Sequence, residues 1–172
     1  MKTFFLQILG LMIVIVVGLM LSTNTGFQTS VLNTFQGGQN SIKEQDTLII
    51  SDSNLQNTKA KIKIEVAKNN DEKAKGLGGR ESLAEENGML FVYDVKLKPR
   101  FWMKGMRIPL DFIWIDGDKV VDLLANVPPP QEGQSDATLP LYSSVVEVDK
   151  VLEVNAGFIS KNNITVGDIV NY

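Results

Sequence analysis

Lys104 and Asp111 are the ionisable side chains best placed to do chemistry, because both are embedded in the apolar run FWMKGMRIPLDFIWID, Phe101 to Asp116. A charge buried in such surroundings is costly unless a partner neutralises it. The connection GMRIP is short enough for two antiparallel strands to bring the pair face to face. Two uses are open to them. They form an ion pair that anchors a turn, the lysine stem lying along apolar surface. Alternatively they line a shallow pocket in which Phe101 and Trp102 supply an apolar or sugar-stacking wall. Burial argues that the charges are partnered; it does not argue that they react.

The rest of the composition narrows the chemistry sharply. The sequence holds no cysteine and no histidine, which removes thiol nucleophiles, disulfides, Ser-His-Asp relays and most zinc, copper and iron sites. Catalysis would have to run on carboxylates, Lys, Arg, Tyr or Ser. Ser143 or Ser144 with Lys104 could make a Ser-Lys dyad, although serines in a strand are commonplace. GLGGR lacks the spacing and the Lys-Ser/Thr of a phosphate loop and reads as a helix end. DGDKVVD offers Asp116, Asp118 and Asp122 without the glutamate a calcium loop needs, so it reads as a solvated turn. No metal and no cofactor is expected. A net charge of −3 argues against a nucleic-acid surface.

These side chains need a scaffold, and the pattern supplies strands. AKIKIEVA alternates, with Ile62, Ile64 and Val66 on one face. GMLFVY, RFWMK, LDFIWI, VVDLLANV, LYSSVVEVD, KVLEV and ITVGDIV read as further strands, with DGDK as a tight hairpin turn. NNDEKAKGLGG predicts a short helix capped at Asn70 or Asp71, and a second is expected around Ala156–Asn162. PPPQEGQSD is an exposed loop. Many short strands with two small helices predict an antiparallel sandwich or small barrel. Strands so closely spaced leave no room for helical crossovers between parallel neighbours.

Ahead of this domain, Phe4 to Leu21 has Gln7 as its only strongly polar side chain. That length approaches the ~20 residues a helix needs to cross a bilayer. No small-residue cleavage site of A-x-A type follows, so an uncleaved signal-anchor is preferred to a cleaved signal peptide. Lys2 before the span places residues 1–3 in the cytoplasm and the domain outside the cytoplasmic membrane. The alternative is secretion after cleavage. Residues 22–58 read as a flexible polar linker with a candidate edge strand at 47–51, and residues 59–172 as the β domain.

KAKGLGGRESLAEENGMLFVY, FWMKGMRIPLDFIWID, VLEVNAGF and the closing VGDIV together resemble domain-of-unknown-function family 192, DUF192, over roughly Lys59 to Tyr172. The resemblance implies a β-sandwich of jelly-roll type in a prokaryotic, often exported domain with no established activity. It also implies that Arg80, Lys104, Asp111 and Glu153 occupy the family's recurring polar positions. Arg80 and Glu153 would then be a second candidate ion pair. Gly78 and SSVVEVDK depart from the family's usual residues at those places.

Function is expected to be that of a membrane-anchored, non-enzymatic β module. Its candidate ligand-binding residues are Arg80, Phe101, Trp102, Lys104, Asp111 and Glu153. Its partner is a small molecule, a glycan or a protein of the envelope. The rival expectation is an envelope hydrolase using paired carboxylates or a Ser-Lys dyad, and the third is a purely structural domain.

Overall fold

The computed structural model describes residues 46–172; the predicted membrane span at 4–21 lies outside the described residues. Seven strands close into a barrel: β1 (Asp46–Ser51), β2 (Thr58–Ala67), β3 (Asn87–Leu97), β4 (Leu110–Asp116), β5 (Lys119–Val127), β6 (Val148–Asn155) and β7 (Ile169–Asn171). Around the barrel the order is β1-β2-β3-β6-β4-β5-β7, and β7 pairs back onto β1. Two short helices interrupt the strands, α1 (Asn70–Lys75) between β2 and β3 and α2 (Phe158–Lys161) between β6 and β7. Of the sandwich and the barrel open to the sequence, the chain adopts the barrel.

Period-two alternation builds two cores rather than one. Leu48, Ile50, Ile62, Ile64, Leu90, Ile113, Ile115, Leu152 and Val154 fill the barrel interior. Phe158, Ile159 and Ile164 join them, so α2 packs into the same cluster. On the opposite face of β3, β4 and β6 a second cluster forms around Met89, Phe91, Phe112, Trp114 and Val151. Leu77, Phe101 and Met103, from the segments 68–86 and 98–109, cover it. That explains LDFIWID, whose first six residues are all buried. A strand covered on both faces has no position left for water-facing side chains.

Four expectations need correction. The strand at 47–51 is an integral stave of the barrel, Asp46–Ser51, paired on both sides, so the barrel takes in residues that the sequence assigned to the linker before residue 59. Strands β2 and β3 run parallel, from Lys63↔Asn87 to Ala67↔Phe91. Residues 68–86 form the crossover, long enough for a connection that parallel pairing requires. RFWMK is a loop held to its neighbour by one bridge, Phe101↔Tyr142. LYSSVVEVD becomes a strand only at Val148. Both last segments are apolar because they cover a sheet face, which imitates a strand's composition.

Local chemistry sets the ends of these elements. Asn69, one residue before the predicted caps, closes a capping box on α1: its side chain accepts from the Glu72 N–H (2.9 Å), and Glu72 Oε2 accepts from the Asn69 N–H (3.3 Å). Gly76, at φ 48°, ends the helix. Gly117, at φ 62°, turns the β4–β5 hairpin, where Asp116 faces Lys119. Gly88 is needed for another reason: a Cβ there would meet the Glu153 carbonyl oxygen at 2.8 Å, so β3 and β6 approach at that point too closely for any side chain.

A cavity floored by a buried glutamic acid

Lys104 and Asp111 do not pair. Lys104 Nζ lies 2.8 Å from Asp136 Oδ2, with both side chains half exposed. Asp111 is fully buried at the far side of β4 and is satisfied by backbone. The Asn126 N–H donates to its Oδ1 (2.7 Å) and the Ile159 N–H to its Oδ2 (2.9 Å). The first bond has a local origin. Strand β5 bulges between Leu124 and Val127, and Asn126, at φ 58°, turns its N–H out of the ladder toward the carboxylate. The second fixes the first turn of α2. Asp111 is thus an anchor between a bulge and a helix.

Arg80 and Glu153 do not pair either. Arg80 forks onto Glu65 of β2, with contacts of 2.6 and 2.8 Å that raise the guanidinium pKa. Glu153 stands on β6 opposite Met89 of β3 and Phe112 of β4, on the face of the second core. It is 6% exposed. No cation or donor among the described residues neutralises it, and burial alone pushes its carboxyl up to about 8. At neutral pH it is therefore a protonated acid.

Glu153 lines a cavity of about 370 Å³. Phe91, Phe101, Tyr93 and Met106 form apolar parts of its lining, and Gly76 to Gly78 bring in the turn that follows α1. Burial and the nearby Glu153 push the Tyr93 phenol up to about 12. Phe101 is locked edge-on to Phe91, with ring centroids 5.0 Å apart, and packs at 5.6 Å and 5.5 Å against Phe112 and Trp114. Such contacts are each worth about 0.5–1.5 kcal/mol beyond burial. Lys73, Lys75, Arg100 and Lys104 complete the lining with Trp102, which is 49% exposed. Lys73 Nζ lies 4.4 Å from the Tyr93 ring centroid and Lys104 Nζ 5.3 Å from that of Trp102.

The covering loops are tied to one another. The Gly79 N–H donates to the Gly105 carbonyl (2.9 Å), and Phe101 and Tyr142 exchange two backbone hydrogen bonds of 2.8 Å. Of the six candidate residues, Phe101, Trp102, Lys104 and Glu153 meet at this cavity, whereas Arg80 and Asp111 are not part of its lining. Sequence reasoning missed Tyr93, Lys73, Lys75 and Arg100. A basic spacing was visible in KAK and in KPRFWMK, but nothing local says that the two segments share a wall.

Neither hydrolytic arrangement forms here. Glu153 is the only carboxylate among the cavity's lining residues, so a paired-carboxylate mechanism has no second acid there. Ser144 is buried with its Oγ accepting from the Val146 N–H (3.2 Å), and Lys104 is engaged with Asp136.

The model of the family DUF192, described as "Uncharacterized ACR", matches residues 53–172. A protein from Sinorhizobium meliloti 1021, described as a candidate transcription regulator, has a similar fold: TM-score 0.65 and 24% identity over 74% of this chain and 92% of that one. A protein of unknown function from Novosphingobium aromaticivorans DSM 12444 gives a TM-score of 0.64 and 27% identity over 74% of this chain and 85% of its own. No curated protein shows significant similarity to the chain.

Proposed function

The chain belongs to the DUF192 family, and within that family we propose that it is a ligand-binding module whose site is the cavity above Glu153. The single observation that carries this reading is the acid itself. A carboxyl that is buried and unpartnered among the described residues is costly for the fold, since folding removes most of its water and no protein group among them replaces it. A ligand that hydrogen-bonds it supplies the missing contact. The aromatic lining and the half-exposed Trp102 give such a ligand an apolar face to lie against.

The N-terminal run from Phe4 to Leu21 supports placing this module outside the cytoplasmic membrane on a signal-anchor, facing envelope solutes, glycans or proteins. Binding without catalysis is favoured because the lining offers one acid and no second carboxylate, serine or threonine.

Thermal-shift screening of the full chain in mild detergent tests the reading, using a panel of sugars, organic acids, amines and nucleotides. A binder should raise the melting temperature as its concentration passes the dissociation constant. Trp102→Ala should abolish the shift while keeping the native circular dichroism spectrum. A shift that persists undiminished in Trp102→Ala would remove the cavity as the site.

A further inference from the structure

The ligand's chemical class follows from what the cavity can donate and accept, an inference that rests on the binding reading above. Four cations, Lys73, Lys75, Arg100 and Lys104, share the lining with one carboxyl group. Lys104 divides its charge with Asp136, while no salt bridge among the described residues holds the other three. The carboxyl is not available to neutralise them, because none pairs with Glu153 and the buried acid keeps its proton. Tyr93 adds a phenol that also stays protonated far above neutral pH. In this state the side chains lining the site carry excess donors and positive charge. An ammonium or guanidinium ligand would be repelled, a neutral sugar would gain nothing from the cations, and an oxyanion would be met from several sides.

We propose that the cavity binds a small organic anion, a carboxylate or phosphate ester carried on a ring or polyol, whose oxygens take hydrogen bonds from the basic side chains and from the acid O–H of Glu153. The volume of about 370 Å³ suits a molecule of monosaccharide or single-ring size. The apolar part of that ligand lies on Phe101 and Trp102. Binding and the proton on Glu153 are then linked. An ionised Glu153 would set a negative charge against the ligand's own, so the complex requires the protonated form. Of the ionisable groups that share the lining with this carboxyl, Tyr93 from β3 is the one it interacts with, and Lys73 and Lys75 from α1 and Arg100 and Lys104 from the loop before β4 line the same cavity; its β4 neighbour, Phe112, is apolar.

The test is binding to the full chain in detergent, read by calorimetry and by Trp102 fluorescence, with benzoate, gluconate and glucose 6-phosphate as anions. Glucose serves as the neutral probe and benzylamine as the cation. At least one anion is expected to bind and the other two classes to fail. Relative to Glu153→Gln, its affinity should be unchanged below pH 7 and fall about tenfold per pH unit above about 8. Glu153→Gln keeps a donor at the floor and cannot ionise, so its affinity should show no fall above about pH 8. Binding of glucose or benzylamine in preference to the anions would overturn the class while leaving the site in place. The same pH profile in wild type and Glu153→Gln would overturn the proton linkage. If no probe of any class binds, the binding reading falls with the inference.

Discussion

At the scale of single residues, the two buried acids behave in opposite ways because one is given donors and the other is not. Asp111 accepts two backbone N–H bonds that come from different elements. Asparagine keeps one acceptor and turns an NH2 toward the other donor. Asp111→Asn should therefore lower unfolding free energy by about 1–3 kcal/mol in urea titration; an unchanged midpoint would show that these bonds carry no weight. Glu153 has an ordinary value of 4.5 when unfolded and about 8 when folded. Between those limits the folded chain binds more protons, so its contribution to stability declines as pH rises from 4.5 to 8 and then levels off. Glu153→Gln should match wild type at acid pH and be more stable by a few kcal/mol above about pH 8, measured by urea midpoints at pH 5 and 8.5. Parallel profiles for the two proteins would contradict this. Embedding in apolar sequence revealed that Asp111 would be buried. It could not reveal the partner, because the bulge that supplies one donor exists only once β5 is paired.

At the scale of elements, α1 is the piece that carries Lys73 and Lys75 to the cavity, and its start depends on one reciprocal cap. Asn69→Ala should cost about 1 kcal/mol of stability and weaken ligand binding more than stability alone predicts, measured by denaturation and calorimetry on the same sample. Gly88→Ala tests the close approach of β3 and β6. With backbone oxygen 2.8 Å from the new methyl, the strands must move apart, at about 1–3 kcal/mol. Alternation in AKIKIEVA and the Asp-Gly turn made β2 and the β4–β5 hairpin readable from sequence, since both signals are local. The parallel pairing of β2 with β3 was not readable. Hydrophobic period says which face is buried and is silent on which strand lies alongside. The loops at 98–104 and 141–147 misled for a related reason: covering a sheet demands the same apolar residues as belonging to one.

At the scale of the molecule, the closed barrel fills its interior mainly with aliphatic side chains, keeps Asp111 satisfied by backbone, and places its unpartnered acid, Glu153, on its outer, covered face. The proposed anchor predicts that the full chain stays with membranes through alkaline carbonate washing and that removal of residues 1–21 releases it; release of the intact chain would leave the barrel without a tether. The cavity also joins parts far apart along the chain. Its turn after α1 belongs to the crossover between the two parallel strands, whereas Glu153 belongs to β6. A guest lodged there acts as a rivet through that crossover. Exchange of the β2 and β3 amide protons with heavy water should slow when the guest is bound, although neither strand's backbone need touch it. Occupancy of the pocket would thus be legible in the lifetime of hydrogens along a joint that the guest meets only through the side chains of Phe91 and Tyr93.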